Sequence, residues 1–136
     1  MSDIFNNWGV QYCRILFLKK ILENHDNVIN LKRTEDIYFS FNRIKQNDSL
    51  NVLCLDSYVF GENDLYKVLE EFPNIDIISI GGVWNRYTRE AKELALEKKL
   101  GLYRADEIKG GIYFDKFWLY HKKDDEGNPK YCFGSL

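Results

Sequence analysis

The chain has 136 residues and a formal net charge of -2, and 45% of its residues are hydrophobic. A chain of this length forms one domain and buries roughly two-thirds of its unfolded surface, so it folds without disulfides or a structural metal. This composition excludes a disordered chain, and the charge does not demand a polyanionic partner. Cys13, Cys54 and Cys132 lack C-x-x-C spacing, which argues against a disulfide framework and a zinc knuckle.

Neither a membrane span nor a signal peptide is predicted. The apolar stretch from Ile15 to Leu18 is too short to cross a bilayer, and charged residues flank it. We therefore expect a cytoplasmic protein with no membrane partner.

The first half of the chain predicts one helix and three strands. Apolar residues recur at spacings of three and four over residues 8–22, which predicts a helix, and Leu16 and Phe17 widen its apolar face. Strands are predicted at residues 28–31, 37–41 and 52–55. In the second of these strands, Ile37, Phe39 and Phe41 share one face.

The second half predicts two βα units. A helix over residues 62–72 ends before Pro73, and the apolar run 75–80 predicts a strand that is covered on both faces. Thr88 is the expected N-cap of a third helix, with Lys92 on its water-facing side and Gly101 at its end. A short strand over residues 102–105 follows. Short loops between these elements imply parallel strands.

The tail predicts a β-hairpin. Its strands are expected at residues 112–121 and 131–133, around a turn rich in strand-breaking residues at 124–129. The fold class is therefore α/β, with an N-terminal helix, a mixed open sheet with two βα units, and a C-terminal β-hairpin. We expect residues 1–136 to form a single domain.

Three segments of the second half carry a family resemblance. They are Ile75 to Gly82, Tyr87 to Ala91 (Tyr-Thr-Arg-Glu-Ala) and Gly101 to Glu107. This order of strand, helix opening, short strand and acidic turn resembles the PD-(D/E)XK, or restriction-endonuclease-like, superfamily, and its Mrr-type branch above all. The resemblance implies a small domain associated with nucleic acid, from a restriction, defence or mobile-element system.

The same resemblance implies a nuclease site, but the chain departs from its pattern. Such nucleases place an acid on the second strand and acid-x-Lys on the third, where carboxylates hold Mg²⁺. By position, Asp36 and Asp56 are the candidate catalytic and metal-binding residues. The third strand ends Cys54-Leu55-Asp56, which lacks the lysine, so we expect a degenerate or inactive site, with Mg²⁺ as cofactor only if it is active. Acid-x-Lys triplets elsewhere, at residues 90–92, 97–99 and 107–109, are expected on a solvated helix face or in a turn.

A ligand crevice is predicted at the carboxyl ends of the parallel strands, where open α/β sheets bind their ligands. Besides Asp56, its candidate lining residues are Ser79, Gly81, Gly82, Trp84 and Arg86. The plainer interpretation of the glycine pair is a tight turn in which Trp84 covers the core.

Two other functions remain open from the sequence. A non-enzymatic protein-interaction or regulatory module would use the aromatic tail, with Tyr113, Phe117, Trp118 and Tyr120. A receiver-like domain would use Asp56, Ser79 and Lys109, although the acidic pair expected after its first strand is absent.

Overall fold

A computed structural model describes residues 6–135 and arranges them around a five-stranded mixed sheet. The helices are α1 (Tyr12–Glu23), α2 (Glu62–Glu71), α3 (Arg89–Glu97) and α4 (Ala105–Tyr113), with a 3-10 turn at Phe117–Leu119. The strands are β1 (Val28–Thr34), β2 (Tyr38–Arg43), β3 (Asp48–Cys54), β4 (Val59–Phe60), β5 (Ile77–Ser79), β6 (Arg86–Tyr87), β7 (Gly101–Tyr103), β8 (Lys122–Lys123) and β9 (Pro129–Lys130).

The main sheet has the strand order β1-β2-β3-β5-β7. The first three strands pair antiparallel, whereas β3, β5 and β7 pair parallel. Strand β5 has a parallel neighbour on each side, and its residues Ile77 and Ile78 are buried, as its apolar sequence predicts. The predicted α/β class, with an N-terminal helix and two βα units, is confirmed.

Helices cover both faces of the sheet. Cys54 lies against the backbone of α1, with its Sγ 3.8 Å from the Arg14 carbonyl oxygen. Tyr38, which is paired with the neighbouring Leu53, packs on Phe72 at the end of α2, with ring centroids 5.6 Å apart. Because successive strand residues point to opposite faces, α1 and α2 lie on opposite sides of the sheet.

The apolar face of α1 is narrower than predicted. Ile15, Leu18 and Leu22 are buried, but Leu16 and Phe17 are exposed, and the helix begins at Tyr12. Only one face of the helix meets the sheet, so residues a quarter-turn away remain in solvent.

The third helix departs from its prediction in two places. Thr88 caps it as expected, with its Oγ1 accepting a hydrogen bond from the Ala91 N–H. Lys92, however, is buried and does not face water. The helix ends before Lys99, which itself adopts the left-handed conformation at φ 58°, and Gly101 begins β7.

The tail is a helix followed by a smaller hairpin. Residues 105–113 form α4, and the hairpin consists only of β8 and β9 around the turn at 124–129. The predicted strand over residues 112–121 and the predicted turn at Glu107 and Lys109 are therefore wrong. Helix α4 forms because Ala105, Ile108 and Ile112 present one buried face. Within residues 6–135, no helix is long and apolar enough to cross a membrane.

Gly110 lets α4 approach the tail closely. A Cβ at this position would collide with the ring of Tyr120. Alanine is normally better than glycine in a helix by about 1 kcal/mol. We nevertheless expect Gly110→Ala to lower the free energy of unfolding by about 1–3 kcal/mol because of this overlap. Chemical denaturation measures the change.

The control for Gly110→Ala is the same substitution in a Tyr120→Ala background. Without the tyrosine ring, the added methyl group should be neutral or stabilising, and the two substitutions should be strongly coupled. Equal destabilisation in both backgrounds would show that the Tyr120 contact is not the cause.

Candidate functional site at the carboxyl edge of the sheet

The candidate residues lie along one edge of the sheet. Strands β1, β3, β5 and β7 run in the same direction, so their carboxyl ends lie at this edge. The connections that leave these ends place the following candidate residues here: Asp36, Asp56, Gly81, Gly82, Trp84 and Arg86. Ser79 is the last residue of β5 and is buried.

The two candidate acids are both held by arginines. Arg33 donates to Asp36 Oδ1 over 2.9 Å, and Asn6 donates to its Oδ2 over 2.8 Å. Asp56 is 3.5 Å from the Arg14 guanidinium and accepts a hydrogen bond from Asn85 over 3.2 Å. These contacts favour structural ion pairs, because the carboxylate oxygens are already engaged by cations and amide donors.

Cys54 lies close to both acids. Burial, then the charges of Asp56 and Asp36, raises the pKa of the Cys54 thiol to about 12, so the thiol is neutral at physiological pH. A neutral thiol is a poor ligand for a hard cation such as Mg²⁺. Within residues 6–135, no three His, Cys, Asp or Glu side chains are grouped so that they could hold a metal ion. The residues at this edge therefore do not fit the Mg²⁺ site that the resemblance implies.

The turn after β5 is fixed by Asn85. Its side-chain amide donates to the Ser57 carbonyl over 2.6 Å as well as to Asp56. Gly81 has φ 125°, and a Cβ there would come within 2.8 Å of the Asn85 amide group. Only glycine fits this conformation and this contact, so the amide can cross the turn and link it to the end of β3.

Two arginines bind the tip of this turn. The carbonyl oxygen of Val83 accepts a hydrogen bond from Arg86 over 3.1 Å and another from Arg104 over 3.0 Å. Trp84 follows directly, and 79% of it is exposed. The interpretation in which Trp84 covers the core is therefore wrong. The turn presents an indole to solvent from a backbone that is held on both sides.

A second aromatic residue is exposed on the chain segment that pairs with the end of this turn. Tyr58 is 77% exposed, and its carbonyl oxygen accepts a hydrogen bond from the Arg86 N–H over 2.9 Å. Val59 is paired with Arg86 in the parallel ladder of β4 and β6, so Tyr58 and Trp84 come from the entrances of two neighbouring strands. With Val83, which is also exposed, these residues form the Trp84 edge: Tyr58, Val83, Trp84 and the charged side chains around them.

The charged side chains of the Trp84 edge form two ion-paired groups. Arg14 pairs with Asp56, and Arg104 and Lys122 pair with Asp106. Arg86 shares the Val83 carbonyl oxygen with Arg104. Arg104 binds Asp106 through two hydrogen bonds of 2.7 Å, and Lys122 adds a third of 3.0 Å. The pKa of Asp106 is lowered to about 2, mainly by the hydrogen bonds from Arg104. These six side chains, four cations and two carboxylates, carry a formal charge of +2 in a chain whose formal net charge is -2.

The competing aromatic site does not form a hairpin surface. Phe117 is buried, Trp118 and Tyr120 are half-buried against the core, and Tyr113 lies at the end of α4. Lys109, the third member of the receiver-like set, lies in α4, where its carbonyl oxygen is 2.9 Å from His25 Nε2. These positions give the tail a structural role in the packing of α4.

A buried polar cluster near the same edge was not predicted. Lys92 is 2% exposed, donates to the Leu102 carbonyl over 2.8 Å, and lies 4.3 Å from the centroid of the Tyr103 ring. Glu107, also buried, accepts a hydrogen bond from the Tyr87 hydroxyl over 2.8 Å. Burial lowers the pKa of Lys92 to about 8, although the charge of Glu107 opposes this shift.

No local pattern of residues indicates this cluster. In a helix, Glu90-Ala91-Lys92 is ordinary solvated charge, and the cover over Lys92 includes the ring of Tyr131, 39 residues further along the chain.

Comparison of the chain with family models, curated proteins and solved structures found no match.

Proposed function

We propose that this protein is a nucleic-acid-binding, restriction-endonuclease-like domain that does not cleave its ligand with a metal ion. The observation that supports binding is the Trp84 edge, where two exposed aromatic residues lie on neighbouring chain segments and Arg14, Arg86 and Lys122 supply partly exposed cations. Aromatic rings stack on bases and guanidinium groups contact phosphates, so this combination is typical of nucleic-acid surfaces. A place in a restriction, defence or mobile-element system is part of the proposal.

The proposal includes the loss of cleavage. In place of an acid and a lysine, β3 ends in a neutral thiol at Cys54, a buried Leu55 and an Asp56 that is paired with Arg14. Without a lysine at the end of β3 and without a free carboxylate pair beside it, these residues would not assemble Mg²⁺ and activate water.

We expect no Mg²⁺- or Mn²⁺-dependent cleavage of plasmid or single-stranded nucleic acid by the purified protein. Gel electrophoresis after long incubation measures it, and Asp56→Ala should leave the background unchanged. Cleavage that Asp56→Ala abolishes would contradict the loss of catalysis and restore a nuclease.

Binding is tested by removing two cations of the Trp84 edge. The double variant Arg14→Gln and Arg86→Gln should weaken binding to a mixed pool of labelled oligonucleotides, single-stranded and duplex, regardless of sequence. The dependence of log Kd on log salt should also fall by about one for each lost phosphate contact. Fluorescence anisotropy at several salt concentrations measures both effects.

The matched control removes two cations elsewhere. Lys67 and Lys98 are exposed, on α2 and just after α3 respectively, so a double glutamine variant there changes the net charge equally. Its affinity and salt dependence should stay close to those of the unmodified protein. If both double variants behave alike, the effect is one of net charge, and the Trp84 edge is not the binding surface.

A protein-interaction module is the second candidate, and the same surface favours it. Trp, Tyr and Arg are the residues enriched at interface hot spots, and Trp84, Tyr58 and Arg86 supply all three. Absence of nucleic-acid binding, together with loss of cellular function on Trp84→Ala at unchanged thermal stability, would favour a protein partner over nucleic acid.

A further inference from the structure

The exposed rings at the Trp84 edge restrict which form of nucleic acid fits. We infer that the ligand is a short run of single-stranded nucleic acid, bound by stacking of unpaired bases on Trp84 and Tyr58. This inference rests on the proposed function and specifies its ligand. It is carried by the exposure of the two rings, the rigidity of the turn that holds Trp84, and the short row of cations beside them.

The exposed rings favour unpaired bases over paired ones. Trp84 and Tyr58 are 79% and 77% exposed, so most of each aromatic side chain is open to a ligand. In a duplex, base faces are covered by neighbouring pairs, and a protein must extract a base to stack on it, at a cost of a few kcal/mol. In a single strand the base faces are accessible, so these rings gain stacking contacts there without that cost.

The backbone that carries Trp84 and Tyr58 is held by hydrogen bonds. The turn that carries Trp84 is held by two guanidinium groups on the Val83 carbonyl and by the Asn85 amide on the Ser57 carbonyl. The Tyr58 carbonyl is bonded to the Arg86 N–H. Both aromatic residues therefore project from a backbone that is ordered before binding, and little conformational entropy is lost when a base stacks.

The width of the Trp84 edge limits how many phosphates of a single strand it contacts. Arg14 lies by the end of β3, and Trp84 follows β5. The Asp106 group follows β7, and Lys122 is its more exposed cation. Neighbouring strands are ~4.8 Å apart, so the row from β3 to β7 spans about 10 Å. With one phosphate per ~3.4 Å of a stacked strand, this row faces about three phosphates. Binding should therefore be weak, with a log Kd against log salt slope of magnitude about 2 for a single strand.

The experiment compares a fluorescein-labelled oligothymidine with a blunt duplex of equal length by anisotropy. We expect the single strand to bind at least about tenfold more tightly than the duplex, because each stacked base is worth ~1–3 kcal/mol. Trp84→Ala should weaken single-strand binding by about 5- to 150-fold and leave the weak duplex binding nearly unchanged. Tyr66→Ala, at an exposed tyrosine on α2, is the matched control and should change neither affinity.

Each other outcome overturns a defined part of the inference. Equal affinity for both forms, reduced by the Arg14 and Arg86 double variant, would reject the single-strand ligand and leave the proposed function intact. Binding of neither form would reject both. A salt slope of magnitude above about 5 for the single strand would show a much longer contact than this edge offers. Thermal unfolding of the Trp84→Ala protein verifies that it is folded.

Discussion

Replacing Arg43 with methionine is expected to lower the free energy of unfolding by about 3–5 kcal/mol. Arg43 is 1% exposed, and its guanidinium binds both carboxylate oxygens of Asp48, over 2.8 and 2.6 Å. It also donates to the carbonyl oxygens of Ile112, Phe114 and Asp115 over 3.2, 2.6 and 3.2 Å. These carbonyls lie in the last turn of α4 and just beyond it, where helix carbonyls lack partners of their own. The substitution removes a guanidinium group that links β2 to this end of α4, where Asn27 also donates to the Ile112 carbonyl oxygen.

Two further variants isolate the cause of the Arg43 effect. Arg43→Lys keeps the charge but presents a single nitrogen, so it should recover only part of the loss, because one ammonium cannot reach the same acceptors. Arg33→Met removes an arginine that is more exposed than Arg43 and that pairs with Asp36, and it should cost no more than about 1 kcal/mol. Urea denaturation measures all three. Full recovery with lysine would show that charge, and not the branched hydrogen bonding, stabilises α4.

Replacing Lys92 with methionine is expected to change how stability depends on pH. In the folded protein the pKa of Lys92 is lowered to about 8, whereas in the unfolded chain a lysine titrates near ~10.4. Between these values the unfolded state binds more protons, so stability rises with pH across this window. The rise amounts to about 3 kcal/mol, from about 1.4 kcal/mol per unit of pKa shift.

Methionine has no proton to bind, so the variant lacks this rise. The free energy of unfolding of Lys92→Met minus that of the unmodified protein should therefore be largest near neutral pH and shrink towards pH ~10. Burial also raises the pKa values of Tyr87, Tyr103 and Cys132, which are present in both proteins. The difference therefore measures Lys92 together with its interaction with these groups.

Denaturation at several pH values from neutral to alkaline measures the difference. Lys98→Met, at an exposed lysine just after the same helix, is the control, and its difference from the unmodified protein should not vary with pH. Parallel pH profiles for Lys92→Met and the unmodified protein would show that Lys92 does not titrate in this window.

Local residue patterns predict those helices and strands whose buried faces are formed by residues close together along the chain. The alternation of Ile37, Phe39 and Phe41 defines the buried face of β2, and the spacing of Leu65 and Val68 defines that of α2. Thr88 was identified as an N-cap because its hydroxyl bonds to a backbone N–H only three residues away. Such signals are local, so the α/β class and the order of its elements follow from them.

Other features follow only from packing between residues that are far apart along the chain. Lys92 is buried because Tyr103 and Tyr131 close over it, and Trp84 is exposed because Arg86 and Arg104 hold its turn away from the core. The tail was predicted as a hairpin because of its breaker-rich turn. The first predicted strand, residues 112–121, instead begins inside α4, where Ile108 and Ile112 are buried, and includes the 3-10 turn at Phe117–Leu119.

Some residues of the candidate site were predicted from the sequence, and others are brought there only by packing. The rule that ligands bind at the carboxyl ends of parallel strands located the edge from the positions of Asp56, Gly81, Gly82 and Arg86 alone. Arg14, Tyr58, Asn85 and Arg104 were not among the candidates, because they are brought to this edge by α1, by the segment before β4, by the turn after β5 and by the end of β7. Side chains from separate parts of the chain meet there only through packing on the sheet, which no local spacing of residues encodes.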